Sequence, residues 1–219
     1  MYSYYRSSCS YRVRIALNLK NIEYEIQGVN LLQKGQLTDD YQAINPAKQV
    51  PSLIDAENNQ TLTQSLVILE YIEEMFPNNQ VKLLPTKPQE RRKVREICET
   101  IGSIQTLQNM AVLLHLESLS EALPADTKQK WAKHFIEKGF KTVETLLDKY
   151  AGKFCVNDEL SLADCFLVPQ VYNAKRYQVD LSQFPHISKL NDALTKIPAF
   201  ENAAPKNQPD CPEEMRSVV

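Results

Sequence analysis

The chain has 219 residues, a formal net charge of −2 at pH 7, 43% hydrophobic residues and 24% charged residues. That balance suits a folded globular protein, excludes a disordered one, and gives no electrostatic basis for binding nucleic acid or an anionic membrane. No apolar run approaches membrane-spanning length and the N-terminus lacks a signal peptide's apolar core, so the cytoplasm is the expected location.

Residues 2–20 place Tyr2, Tyr4 and Tyr5 around Ser3, pass through Ser7-Ser8-Cys9-Ser10, and continue with Val13, Ala16 and Leu17 at helical spacing, Ile15 and Leu19 widening the face. The pattern predicts strand, polar turn and amphipathic helix, with a thiol and three hydroxyls where the helix begins. The first N–H groups of a helix are unpaired and its dipole is positive there, so the corner favours an anion such as a thiolate. Residues 21–28 alternate apolar and polar and predict a strand. Residues 31–44 read as loop plus a short helix, and Asn45-Pro46 as a turn. Residues 50–54 form a short strand with Pro51 at its entrance, Asn58-Asn59 a hairpin turn, and residues 60–63 the returning strand. Ser65 precedes Leu66, Ile68, Leu69, Ile72 and Phe76, a helical face ended by Pro77 and Asn78-Asn79. The order β-α-β-α-β-β-α over 1–79 predicts a thioredoxin-like α/β domain, and the two prolines of 83–88 mark a linker at 80–87.

Beyond the linker the pattern is helical. Val94, Ile97, Ile101, Ile104, Ala111 and Leu114 predict one long helix over 88–118. Pro124-Ala125-Asp126 opens a second, carrying Trp131, Phe135, Ile136, Phe140, Val143 and Leu147, with Gly152 after its end. Ser161 and Asp164 have capping-box spacing and start a third, interrupted near Pro169 and running to about Tyr177. Residues 185–197 form a fourth, and from Pro205 onward there is no periodicity. Phe154-Cys155-Val156 is the one strand candidate in this all-helical region, 88–219.

Cys9, Cys98, Cys155, Cys165 and Cys211 are scattered, odd in number and without a C-x-x-C pair, which predicts reduced thiols. His115, His134 and His186 share no metal-ligand spacing, so no metal is expected. Cys9 alone has a reactive setting, while Cys98 and Cys165 fall on apolar helical faces.

Ser7-Ser-Cys-Ser-Tyr-Arg-Val-Arg-Ile-Ala-Leu17 closely resembles the signature of the zeta-class glutathione transferases, the maleylacetoacetate isomerases. The likeness continues through Asn45-Pro-x-x-Gln-Val-Pro51, Gln64-Ser65, Ile104-Gln-x-Leu-Gln-Asn109, Cys155-Val-x-Asp-Glu159, Ala163-Asp164, Val168-Pro-Gln-Val171 and Asn173-Ala-x-Arg176, covering nearly the whole chain. Asn18 departs from the family, which often has Ala there.

The resemblance implies a glutathione-transferase-like fold, a homodimer, and glutathione as cofactor. It implies contacts to glutathione from Ser7, Ser8, Cys9, Ser10, Arg12, Gln36, Gln49, Val50, Pro51, Gln64, Ser65, Gln105 and Asn109, with Pro51 in a cis peptide. Ser8 is the first choice to hold the glutathione sulfur as thiolate, then Cys9, then Ser7; spacing alone fits ordinary helix capping equally well. Arg176 and Arg12 would bind the substrate, although an isolated arginine at a helix end also complements the dipole. Gln105 and Asn109, four apart on one predicted helix face, reach one ligand or form a polar stripe. Asp164 is a structural cap. For the dimer, Leu107, Met110 and Leu113 lie off the core stripe of the long helix.

The implied activity is isomerisation of maleylacetoacetate to fumarylacetoacetate, a step of tyrosine and phenylalanine breakdown: a thiolate that adds to a conjugated C=C and leaves again permits rotation without being consumed. Alternatives are a transferase or dehalogenase acting on α-haloacids, a maleylpyruvate isomerase, a non-enzymatic module, which the intact Ser8/Cys9 corner opposes, and thiol exchange, which the missing second cysteine opposes.

Overall fold

The computed structural model describes residues 1–77, 81–119 and 124–217. The expected helix stop at Asn78-Asn79 lies outside them. Packing divides the chain into two compact units, one of Met1–Leu83 with the segment from Thr195 onward, the other of Leu84–Leu194. The C-terminal segment therefore packs with the N-terminal unit, whereas the sequence suggested one helical domain to the end of the chain. Leu83 and Leu84, expected in a linker, are buried.

The first unit follows the expected order. Strand β1 is Tyr2–Ser3, helix α1 Ser8–Leu19, β2 Gln27–Gly28, α2 Asp39–Ile44, β3 Ser52–Asp55, β4 Gln60–Thr63 and α3 Ser65–Met75. The sheet runs β2-β1-β3-β4. β1 pairs with β2 in parallel and with β3 antiparallel, and β3 pairs with β4 in an antiparallel hairpin from Ser52↔Thr63 to Asp55↔Gln60. The strand expected over 21–28 contracts to its last two residues, although Ile22, Tyr24 and Ile26 keep the alternating inward pattern. Val13, Ala16 and Leu17 of α1 and Ile68, Leu69 and Ile72 of α3 are buried where these two helices pack. A second apolar cluster joins Tyr4, Tyr5, Val29, Tyr41, Val50 and Cys211. Lys20, fully buried, pairs with Glu73 at 2.6 Å. The C-terminal helix, α9 of this unit, is Pro198–Ala203.

The second unit holds α4 Pro88–Leu107, α5 Met110–Ser118, α6 Thr127–Tyr150, α7 Leu162–Arg176 and α8 Pro185–Leu194. The single helix expected over 88–118 is two, because the Asn109 side chain accepts the Val112 N–H and caps a new start. Helix α7 runs through Pro169 without the expected interruption. Phe154-Cys155-Val156 is no strand; the neighbouring pairing is an isolated bridge, Ala151↔Asn157. Gly139 lets α6 approach α4, since a Cβ there would lie 2.2 Å from Ile104 Cγ1. The capping box forms: Asp164 Oδ2 accepts the Ser161 N–H at 2.8 Å and the Ser161 hydroxyl at 2.9 Å, while Oδ1 accepts the Cys155 N–H at 2.9 Å. Burial raises the Asp164 carboxyl, and these hydrogen bonds oppose the rise.

Candidate active site

The corner between β1 and α1 is built from backbone outwards. The Ser7 N–H bonds the Tyr4 carbonyl at 2.9 Å, closing a turn. Ser7 takes an extended conformation and its Oγ accepts the Ser10 N–H at 3.2 Å, so Ser7 is the N-cap of α1. Ser8 is the first helical residue; it is buried, and its hydroxyl finds no protein partner among the described residues. Cys9 is half-buried and a free thiol. Ser10 is fully buried and its Oγ has no hydrogen-bond partner among the described residues. Capping thus accounts for Ser7 and leaves the hydroxyls of Ser8 and Ser10 unengaged among the described residues, Ser10 being wholly enclosed. Tyr4 supplies no second anion here, because burial pushes its phenol up to about 12.

A second helix start lies in the same unit. Gln64 has φ 68° and ψ 117° and makes no side-chain cap to α3. A non-glycine residue there stores roughly 1–3 kcal/mol of backbone strain, a cost that concentrates at binding sites. Ser65 is therefore the first residue of α3 and not its cap, and its hydroxyl accepts instead from Arg12 Nη1 at 3.2 Å. Arg12 is 3% exposed. Arg12, expected to contact both glutathione and the substrate, has an enclosed guanidinium that donates to Ser65.

The Val50-Pro51 peptide is cis. Neither the N–H nor the carbonyl of Val50 has a hydrogen-bond partner among the described residues. Tyr41 and Asn45 hold the adjacent Gln49 carbonyl at 2.6 and 2.7 Å, so this edge is fixed while the Gln49 side chain faces outwards. Gln36 is buried in a 3-10 turn with its Oε1 unpartnered among the described residues.

Gln105, Asn109 and Arg176 belong to the second unit. The shared helix face proposed for Gln105 and Asn109 does not exist, since Asn109 lies in the break between α4 and α5 and also donates to the Thr106 carbonyl at 2.9 Å. Arg176 ends α7, exposed, with its guanidinium over the rings of Tyr172 and Tyr177 at 5.8 and 5.6 Å. Cys98 and Cys165 are core residues. Among the described residues no helix is long and apolar enough to cross a membrane, and no group of His, Cys, Asp or Glu is placed to hold a metal. Sequence reasoning missed Asp210, which accepts the Tyr5 N–H from the aperiodic C-terminal segment.

Two helix N-termini, an open hydroxyl and an unpaired backbone edge on a thioredoxin-like sheet, with a separate helical unit, define the glutathione transferase class. The models for the N-terminal and C-terminal domains of glutathione S-transferase match residues 6–75 and 110–202. The chain is 48% identical to maleylacetoacetate isomerase of Mus musculus over 99% of this chain and 97% of that one. It is similar to the holo structure of a bacterial zeta-class maleyl pyruvate isomerase, with TM-score 0.90, 38% identity and coverage of 96% and 99%. Maleylacetoacetate isomerase from Anaeromyxobacter dehalogenans with GSH bound in its active site gives TM-score 0.86, 41% identity and coverage of 96% for each chain. The chain belongs to the zeta class of glutathione transferases, the maleylacetoacetate isomerase family.

Proposed function

We propose that the protein isomerises maleylacetoacetate to fumarylacetoacetate with glutathione as cofactor, a step of tyrosine and phenylalanine breakdown. The observation that carries the reading is the Ser8 hydroxyl, open at the start of α1 while its neighbour Ser7 does the capping. Glutathione fits the open groups: an extended peptide pairs with a free backbone edge, here that of Val50, and a carboxylate suits a helix start, here Ser65 of α3. When bound it supplies a thiolate that adds to the conjugated cis double bond and leaves again.

This chain's residues do the rest. Ser8 donates to the sulfur and, with the positive end of α1, favours the anion at neutral pH. Cys9 and Ser7 stand next in line for that role. Val50 holds the peptide, Ser65 and the first N–H groups of α3 hold the γ-glutamyl carboxylate, and Gln36 offers its unpartnered oxygen to a donor. Arg176 grips a substrate carboxylate with its two-pronged guanidinium. Maleylpyruvate is the second reading, favoured by the similarity to the maleyl pyruvate isomerase structure. An absorbance assay with each cis-diketo acid, with and without catalytic glutathione, tests both: turnover that needs glutathione without consuming it supports isomerisation. Halide release from an α-haloacid as the sole activity overturns it.

The protein works as a homodimer in the cytoplasm, its five cysteines suited to a reducing compartment. Leu107 and Leu114 are 37% and 49% exposed and offer apolar surface to a partner; Leu113, expected to join them, is buried at 9%. A sedimentation mass of one 25.1 kDa chain at micromolar concentration overturns the dimer.

A further inference from the structure

Both backbone polar groups of Tyr5 are held by side chains from outside its turn. The Tyr5 N–H donates to Asp210 Oδ2 at 2.7 Å, across 205 positions. The Tyr5 carbonyl accepts from Arg14 Nη2 at 3.1 Å. Arg14 is fully buried and is itself fixed by the Ala203 carbonyl at 3.0 Å and the Ser3 hydroxyl at 3.1 Å. Tyr5 lies inside the turn that the Ser7 N–H closes onto Tyr4, and that turn delivers Ser7, Ser8 and Cys9 to the start of α1. Its backbone is thus tied on one side by Asp210 and on the other, through Arg14, by α9.

Asp210 is seated with little freedom. A Cβ on Gly28 would come within 3.2 Å of Asp210 Cβ, so the edge strand β2 leaves room for it by having glycine there. The next residue, Cys211, is buried in the cluster that contains Tyr4, Tyr5 and Val50, with Met215 packed against it. The same cluster underlies the turn leading to Ser8 and the backbone edge assigned to the cofactor. Only one carboxylate oxygen is used: Asp210 Oδ1 is buried without a hydrogen-bond partner among the described residues. A buried N–H left unpaired is costly, so the Tyr5 peptide is held where the acceptor is.

We propose that Asp210 is a positioning residue for catalysis: through the Tyr5 N–H it fixes the turn that aims the Ser8 hydroxyl at the cofactor sulfur. The inference rests on the glutathione reading and deepens it. Small displacements of a positioned donor are expensive in rate. Removing the acceptor should therefore weaken thiolate stabilisation even where the fold survives.

The test follows the ultraviolet absorbance of the thiolate of bound glutathione against pH, with isomerase kinetics, on the full chain well below its unfolding temperature. Asp210→Ala removes acceptor and charge; Asp210→Asn removes the charge and keeps an acceptor; Asp210→Glu keeps the charge and moves the acceptor. Expected are a titration shifted to higher pH and about tenfold lower kcat/KM at neutral pH for Asp210→Ala, a similar direction for Asp210→Glu, and near wild-type behaviour for Asp210→Asn. Asp210→Glu carries the comparison should Asp210→Ala not fold. Wild-type titrations in Asp210→Ala or Asp210→Glu, or an Asp210→Asn as impaired as Asp210→Ala, would overturn the role. Absence of a bound thiolate in the wild-type protein instead overturns the glutathione reading beneath it.

Discussion

Arg12 donates through Nη1 to the Ser65 hydroxyl at 3.2 Å, joining helix α1 to the first residue of α3 across 53 positions of sequence. A serine that accepts from a guanidinium keeps its own proton for a second partner, and the charged donor makes that proton a better one. Arg12→Lys and Arg12→Gln are expected to raise the KM for glutathione, by about 1–2 kcal/mol in binding, with the KM for the diketo acid nearly unchanged. Steady-state kinetics with each ligand varied separately checks this; the opposite split would place Arg12 on the substrate.

Ser8→Ala should leave folding intact and lower turnover by about 2.7–4 kcal/mol in activation free energy, the usual loss for one positioned donor to an anion. The thiolate then loses a partner that favours its charged form. Its pKa rises, and the pH–rate profile moves to higher pH. Full activity at neutral pH in this variant would transfer the role to Cys9 or Ser7.

Arg176→Ala should raise the KM for the diketo acid by about 1.5–3 kcal/mol and leave glutathione affinity nearly unchanged, because it removes a charged partner from a carboxylate. Arg176→Lys should recover part of the loss, since an ammonium lacks the fork. A variant whose glutathione KM alone rises takes Arg176 out of substrate binding.

Asp164 accepts three hydrogen bonds at the start of α7 and is wholly buried. Asp164→Ala is expected to cost about 2–4 kcal/mol of stability, from the lost cap and the stranded Ser161 and Cys155 N–H groups. Burial holds this carboxyl above its ordinary value, so the folded state keeps a proton that the unfolded state releases. Its contribution is fully present below the ordinary carboxylate pKa and is lost as pH rises through the raised one. Thermal unfolding of wild type and Asp164→Asn across that window should show the fall with pH in the first and a flatter line in the second.

The element order of the first unit was legible because each signal was local: alternation at Ile22, Tyr24 and Ile26, a turn at Asn58-Asn59, helical spacing after Ser65. The break at Asn109 was hidden because the apolar spacing runs on to Ala111 and Leu114, so the cap sits inside an unbroken period. Pro169 misled in the opposite direction. Its cost of about 3 kcal/mol in a helix interior is outweighed in α7, where Leu162 to Val171 are buried without interruption. The Ser7–Arg12 corner was readable from residue types, but the division between the capping Ser7 and the open Ser8 depends on one bond to Ser10. Asp210 had no signal at all, because its partner is a backbone group at the far end of the chain.

Because the segment from Thr195 onward packs with Met1–Leu83, the helical unit of Leu84–Leu194 is an insertion within the other in chain order. During synthesis the unit that starts with Met1–Leu83 begins before the helical one and is completed after it. Until residues 199–203 emerge, Tyr11, Arg14 and Asn18 of α1 lack the carbonyls of Phe200, Ala203 and Ala199 as acceptors. A nascent chain therefore acquires a settled thiol corner only after α9 has been made, and a ribosome stalled before α9 holds a helical unit with an incomplete partner.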